Sequence, residues 1–372
     1  MGRRRTAAVL GRLQAKILLV AIALVIGACG DAEESIDTTA ASTTQATTTT
    51  AATTTVAAPE AADVTLALGW IKNVEYAGTF VALDRGYFED NGINLTVNAG
   101  GPNAPDPVVA VVSGDADIAM GAGFIQIMQA ITEGNDLVMF GAKFQESPAG
   151  VLSLAARPVL EPEDLIGIKF LGQPAIPAFL DAVFSINNIE GEYDFIPAGF
   201  DPQPLVDGDG EAYSSFLTNQ AITLELTHGM VLGEDYFAVS WGELGLPLYS
   251  NVLFAERSWL EENRDAAVRF MEALIHGWED NNAEDPGVGA RLAVEVYGVE
   301  YGLDLAQQTR QNEVQMPFLI SADTEANGLF WINEAYIEGP IFEGLRAAGF
   351  TVPDDIASQV DNTIIADALA SR

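Results

Sequence analysis

Between Val64 and Phe88 the spacing of apolar residues changes its period, and this change constrains the fold more than any other feature of the chain. Val64-Thr65-Leu66-Ala67-Leu68-Gly69 alternates like a half-buried strand. From Val74 the apolar positions Val74, Ala77, Val81 and Phe88 follow helical spacing. Strand, short loop and helix in that order make one unit of an α/β sheet. The loop carries Trp70, Lys72 and Asn73, and Tyr76 opens the helix. Small molecules dock at the carboxyl ends of strands in open α/β sheets. Trp70, Asn73 and Tyr76 therefore read as an aromatic face with an amide at such a site, or, for the two rings, as core.

The same rhythm repeats. Residues 93–97 alternate as a second strand, and Asp106-Pro107 reads as an N-cap followed by proline in the first helical turn. Residues 117–120 form a short buried strand before Gly121-Ala122-Gly123, and a helix over 124–131 follows. A strand over 137–140 leads to Lys143-Phe144-Gln145. A second round has strands near 168–171, 193–196, 212–217, 236–239 and 248–254, and helices over 176–186 and from Gln220 to about His228. Beyond Ala255 the pattern is almost wholly helical, over 257–278, 288–296, 304–312 and 324–348. Such alternation predicts mostly parallel sheets covered by helices. Two rounds of it predict two α/β lobes around a central ligand cleft, with crossovers near 152–165 and 240–255.

The N-terminal part follows different rules. Residues 1–14 are basic, and Ile17 to Ile26 is an apolar run too short to span a membrane comfortably. Small residues and Cys29 follow, which is the layout of an export signal. Cys29 directly after Gly27-Ala28 resembles the lipobox of bacterial lipoproteins. That resemblance implies cleavage before Cys29 and an anchor on the outer face of the cell membrane; otherwise the segment is a plain signal peptide with an incidental cysteine. Cys29 is the sole cysteine, so no intrachain disulfide can form and core burial alone must hold the fold. The Thr/Ala-rich stretch that follows has almost nothing to build a core with and reads as a stalk. The expected organisation is a signal over 1–28, a stalk over 29–62, a first lobe over 63–155, a second over 156–250, and a return to the first lobe with C-terminal helices over 251–372.

Charge excludes one class of partner. After Cys29 the chain has 12 Lys and Arg against 53 Asp and Glu. Such a surface repels nucleic acid and anionic lipid, so membrane attachment is expected through the lipid anchor alone.

Several motifs in one order resemble a known family. Trp70, Asn73, Tyr76, Ala82, Gly86-Tyr87-Phe88 and Gly92 match the opening pattern of ABC-importer solute-binding proteins related to thiamine-pyrimidine synthase, a group that includes SsuA- and TauA-like proteins. Gly114-Asp115-Ala116-Asp117 is similar to the family's turn before a strand, and Glu163-Asp164-Leu165-Ile166-Gly167-Ile168-Lys169 to its crossover motif. Thr218-Asn219-Gln220 stands where relatives often have Asn-Glu-Pro. The resemblance spans about residues 64–275. It implies an α/β type II periplasmic-binding-protein fold, with an ABC permease as partner and no cofactor. The usual glutamate is Gln220 here, and many relatives carry histidine near Tyr76, so the exact ligand does not carry over.

The candidate site then assembles from loops after strands. Trp70 and Tyr76 offer faces for a planar ring, and Asn73 offers a donor and an acceptor. Gly121 and Gly123 either let backbone amides approach a ligand or make a tight turn. Phe124 is a wall or core. Gln145 lies past a strand end, Gln173 before a helix N-terminus, and Asn219 and Gln220 at another. Trp241 follows the last crossover strand. Neutral amides and rings suit a small aromatic heterocycle, a thiamine pyrimidine precursor or a flavin-type ring, better than an alkanesulfonate or nitrate-like anion, for which arginine is expected. A monomer without metal is expected.

A secreted enzyme on the same scaffold is the alternative of another class, and a lipid-anchored interaction protein a third. His228 and His276 lack metal-ligand spacing. Asp115 and Asp117 read more naturally as turn and cap residues than as an acid pair.

Overall fold

Two five-stranded sheets carry the architecture of the computed structural model, which describes residues 60–372. Their strands in chain order are β1 Ala62–Leu68, β2 Ile93–Asn98, β3 Ile118–Ala122, β4 Leu137–Phe144, β5 Ala149–Leu154, β6 Lys169–Gly172, β7 Asp194–Pro197, β8 Ala212–Phe216, β9 Tyr236–Ser240 and β10 Ser250–Glu256. The expected export signal, the Cys29 lipidation site and nearly all of the expected stalk lie outside the described residues. β1 starts at Ala62, the last residue assigned to that stalk.

The first sheet runs β2-β1-β3-β10-β4 and the second β7-β6-β8-β5-β9. In each, the first three strands are parallel; β10 is antiparallel to β3 and β4, and β5 is antiparallel to β8 and β9. The sheets are therefore mixed rather than mostly parallel. The antiparallel strands are the ones by which the chain changes sheets: β5 enters the second sheet from β4 after only Gln145-Glu146-Ser147-Pro148, and β10 re-enters the first sheet after β9. The first passage between sheets thus lies between Phe144 and Ala149, earlier than expected, and β5 belongs to the second sheet rather than the first. The second passage lies between Ser240 and Ser250.

Four helices position the site: α1 Ala77–Asp84, α2 Gln220–Leu226, α3 Arg264–Ala283 and α4 Leu305–Gln315. A 3₁₀ turn, Val74–Tyr76, precedes α1. α1 and α3 pack on the first sheet, where Phe80, Phe270, Leu274 and Trp278 join Leu66, Leu68 and Phe140 in one buried cluster.

The C-terminal third departs from the expected long helices. The one expected over 257–278 breaks at Asn263, where a helix Arg257–Glu262 ends and α3 begins. The one expected over 324–348 is interrupted at Gly328 and Phe330, both at positive φ, and at Pro340 inside a π turn. The tail also does not return to the first sheet alone. Ile337, Ile341 and Leu345 are buried with Phe184 and Trp241 of the second half, and the Ser185 hydroxyl bonds the Ala347 carbonyl.

Candidate functional site

The carboxyl ends of β1, β3, β6 and β8 face one another across a cavity of about 290 Å³. Trp70 follows β1 and Phe200 follows β7. Their rings meet edge to face at 4.8 Å, so an aromatic contact closes one end of the space between the halves. Phe179 and Trp241 form an aromatic wall from the second half. Ser214, Ser215, Ser250 and Asn251 add small polar groups.

Of the residues expected from sequence, Trp70, Tyr76, Gly121, Gly123, Gln173, Asn219, Gln220 and Trp241 line this cavity. Three do not. Asn73 is 2% exposed and its Oδ1 accepts the Glu75 N–H at 3.0 Å, so it caps the 3₁₀ turn instead of facing a ligand. Phe124 is core, packed near Tyr249. Gln145 lines a separate depression beside the first passage between sheets, and its amide is held by Ala142, Trp331 and Ser321.

Even the residues that line the cavity differ from the roles expected of them. Tyr76 is fully buried and presents only its hydroxyl, which accepts the Trp70 N–H at 3.0 Å. Burial, then the Glu75 charge, raises its pKa well above the ordinary phenol value, so it stays protonated. Gln173 donates to the Gly199 carbonyl at 2.7 Å and accepts from Ser214 at 2.9 Å. Gln220 accepts from Phe216 N–H at 2.9 Å and donates to the Phe200 carbonyl at 3.2 Å. Asn219 accepts from Gln307 of α4 at 3.1 Å. Gln173 and Gln220 thus shape the walls while already bonded to protein, and Asn219 is bonded through its oxygen. Asp115 and Asp117 lie elsewhere: the first accepts from Ser113 and the second from the Thr65 N–H, both as turn residues.

Glu75 was not anticipated and is the most constrained group in the cavity. It is 7% exposed. Its N–H is held by Asn73 and its carbonyl accepts from Lys143 Nζ. Gln308 accepts the Val74 N–H and Gln315 donates to the Val74 carbonyl, each at 2.8 Å. Asn251 Nδ2 donates to Glu75 Oε1 at 2.7 Å. Burial raises the carboxyl above its ordinary value, opposed by Lys143 and then by the Asn251 bond.

Lys143 is equally buried. It bonds Gln315 Oε1 at 3.0 Å and lies 3.8 Å from the Phe144 ring centroid and 4.6 Å from that of Trp278. Burial pushes its pKa down to about 7, and the Glu75 charge resists that. The sequence did carry a signal for these groups. An acid between Val74 and Tyr76, a lysine between Ala142 and Phe144, and an asparagine inside the apolar run of β10 each interrupt a buried pattern.

The glycines act through close backbone approach. Gly121 sits at φ +117°, and a β-carbon there would lie 2.8 Å from Gly69 N and 2.9 Å from the Tyr76 hydroxyl. Gly121→Ala is expected to destabilise by about 1–3 kcal/mol through strain and displacement of the β1 end, read by urea denaturation. A neutral result would return Gly121 to an ordinary turn.

A family model described as "NMT1/THI5 like" matches residues 73–286, more than half of the chain. The chain belongs to the NMT1/THI5-like family. Among curated proteins it is similar to the formylaminopyrimidine-binding protein of Halalkalibacterium halodurans, 26% identical over 224 residues, or 58% of this chain. The match spans 65% of that relative's length. Among solved structures, a Bordetella bronchiseptica protein superposes with a TM-score of 0.60 at 18% identity, covering 83% of this chain and 98% of that one. The alkanesulfonate-binding protein SsuA of Xanthomonas axonopodis, solved with MOPS, gives 0.58 at 18% identity, covering 82% and 99%. At such identities the superpositions speak to fold: the chain has the α/β periplasmic-binding-protein architecture, two sheets with helices around a cleft.

Proposed function

We propose that this protein is the membrane-anchored solute-binding component of an ABC importer and captures a small aromatic heterocycle between its two halves. The observation that carries the reading is the cleft lining: Trp70, Phe179, Phe200 and Trp241 supply ring faces at strand carboxyl ends, and no Arg or Lys lines the cavity among the described residues. Flat apolar faces suit a planar ring, whereas a sulfonate in a buried site calls for a cation. A formylated aminopyrimidine of the kind named for the Halalkalibacterium relative is the leading ligand, and a flavin-type ring is the second.

The export signal and Cys29 support attachment to the outer face of the cell membrane, where the halves closing on a ligand would present a permease with a distinct surface. Isothermal titration of the purified protein with formylaminopyrimidine, riboflavin and MOPS tests the reading. Binding of a ring compound is expected. Heat from MOPS with none from either ring would overturn it. Trp70→Ala should weaken ring binding by about 1–3 kcal/mol while the fold stays intact, measured by the same titration and a thermal melt.

A further inference from the structure

Gln173 and Gln220 are bonded to protein through both ends of their amides, whereas Glu75 and Asn251 bond each other at the cavity wall. Asn251 Nδ2 donates one N–H to Glu75 Oε1. Among the described residues no hydrogen bond reaches Glu75 Oε2 or Asn251 Oδ1, and both residues line the cavity. We propose that these two oxygens form an acceptor pair that reads an exocyclic amino group on the ligand, making Glu75 the specificity-determining residue of the cleft. The inference rests on the heterocycle reading and names the class within it: an amino-substituted ring, not its oxo counterpart.

Three features argue that the pair is built rather than incidental. The N–H and C=O groups of Val74 and Glu75 are held by Gln308, Gln315, Asn73 and Lys143, which fixes the carboxyl's origin in space. Asn251 occupies φ +50°, an uncommon conformation for a non-glycine residue, next to the register shift of β10 between Val252 and Leu253. Such strain persists where surrounding structure over-determines it, and it collects at binding sites. Lys143, held beneath by Gln315 and two aromatic faces, pins the Glu75 carbonyl from behind without entering the cavity.

An amino group brings two N–H donors to two oxygens, so each acceptor gains a partner. An oxo group in the same place brings lone pairs against lone pairs in a buried site. It also leaves both acceptors without the water they lose on closure.

The test uses a matched pair of probes, 4-amino-5-hydroxymethyl-2-methylpyrimidine and its 4-oxo analogue, titrated into wild type and Glu75→Gln. Wild type should prefer the amino compound by about a hundredfold or more. Glu75→Gln can turn its amide to donate, so the preference should fall below about tenfold. Equal affinity of wild type for the two probes overturns the assignment without any variant, as does an unchanged ratio in a folded Glu75→Gln protein. If that variant does not fold, Glu75→Asp, which draws the carboxyl back from the cavity, takes its place: a preference below about tenfold supports the assignment and an unchanged one overturns it. Binding of neither probe nor any other ring compound would instead sink the heterocycle reading on which the inference stands.

Discussion

Lys143→Met will destabilise the protein by about 3–5 kcal/mol, the combined cost of leaving two buried acceptors without their donor. Methionine fills nearly the same volume, so packing loss is small and the effect is electrostatic. The Glu75 carbonyl and Gln315 Oε1 each lose their lysine donor, and each buried acceptor left open costs about 1–3 kcal/mol. Glu75 loses its counter-charge as well, but it can take up a proton, which holds the total near that range. Urea denaturation at neutral pH measures the loss, and Glu75→Gln combined with Lys143→Met should recover part of it. A loss below about 1 kcal/mol would mean that the lysine's bonds to the Glu75 carbonyl and Gln315 contribute little. The wild-type pH profile offers a second reading. With the folded pKa near 7 against an ordinary 10.5, the folded state holds fewer protons than the unfolded one between those values. The lysine's contribution therefore rises with pH across that window, and Lys143→Met should flatten the slope there.

Periodicity was enough to find most strands of both sheets, because a strand buried on one or both faces leaves a mark that neighbours cannot disguise. It could not find the order of strands. The antiparallel strands β5 and β10 follow the two passages between sheets, at Gln145–Pro148 and between Ser240 and Ser250, which carry no local pattern of their own. The helices after Ala255 were read too long for a related reason. Gly328 and Pro340 are weak evidence of a break when the flanking residues keep a helical period.

At the site, position was legible and role was not. A loop after a strand end places a residue near the cleft, which is how Trp70, Gln173 and Asn219 were found. Whether an amide there is open to a ligand depends on Gly199, Ser214 and Gln307, whose proximity only the folded chain creates. Asn73 shows the same limit. Its place in the motif suggested a contact, while its side chain is engaged two residues away in the cap that positions Glu75.

Trp241→Ala should separate the two roles that an aromatic cleft residue can have. The side chain is 2% exposed, its ring nearly parallel to Phe170 at 6.3 Å and tilted on Phe179 at 5.7 Å. The Trp241 backbone N–H bonds the Ala149 carbonyl and its backbone carbonyl accepts from the Leu246 N–H, so the main chain there ties the second passage between sheets to β5. Truncating a buried tryptophan costs about 3–5 kcal/mol, and binding should fall together with the melting temperature. Trp241→Phe should keep most of both. Trp70 is only half-buried and meets Phe200 at its edge, so Trp70→Ala should cost less than about 1 kcal/mol of stability while binding suffers. Urea denaturation and ligand titration on the same three variants decide it. Full stability of Trp241→Ala with lost binding would make its ring a contact surface like that of Trp70. Lost stability in Trp70→Ala would make the Trp70–Phe200 pair part of the core, leaving Phe179 and Trp241 to carry the ring contact alone.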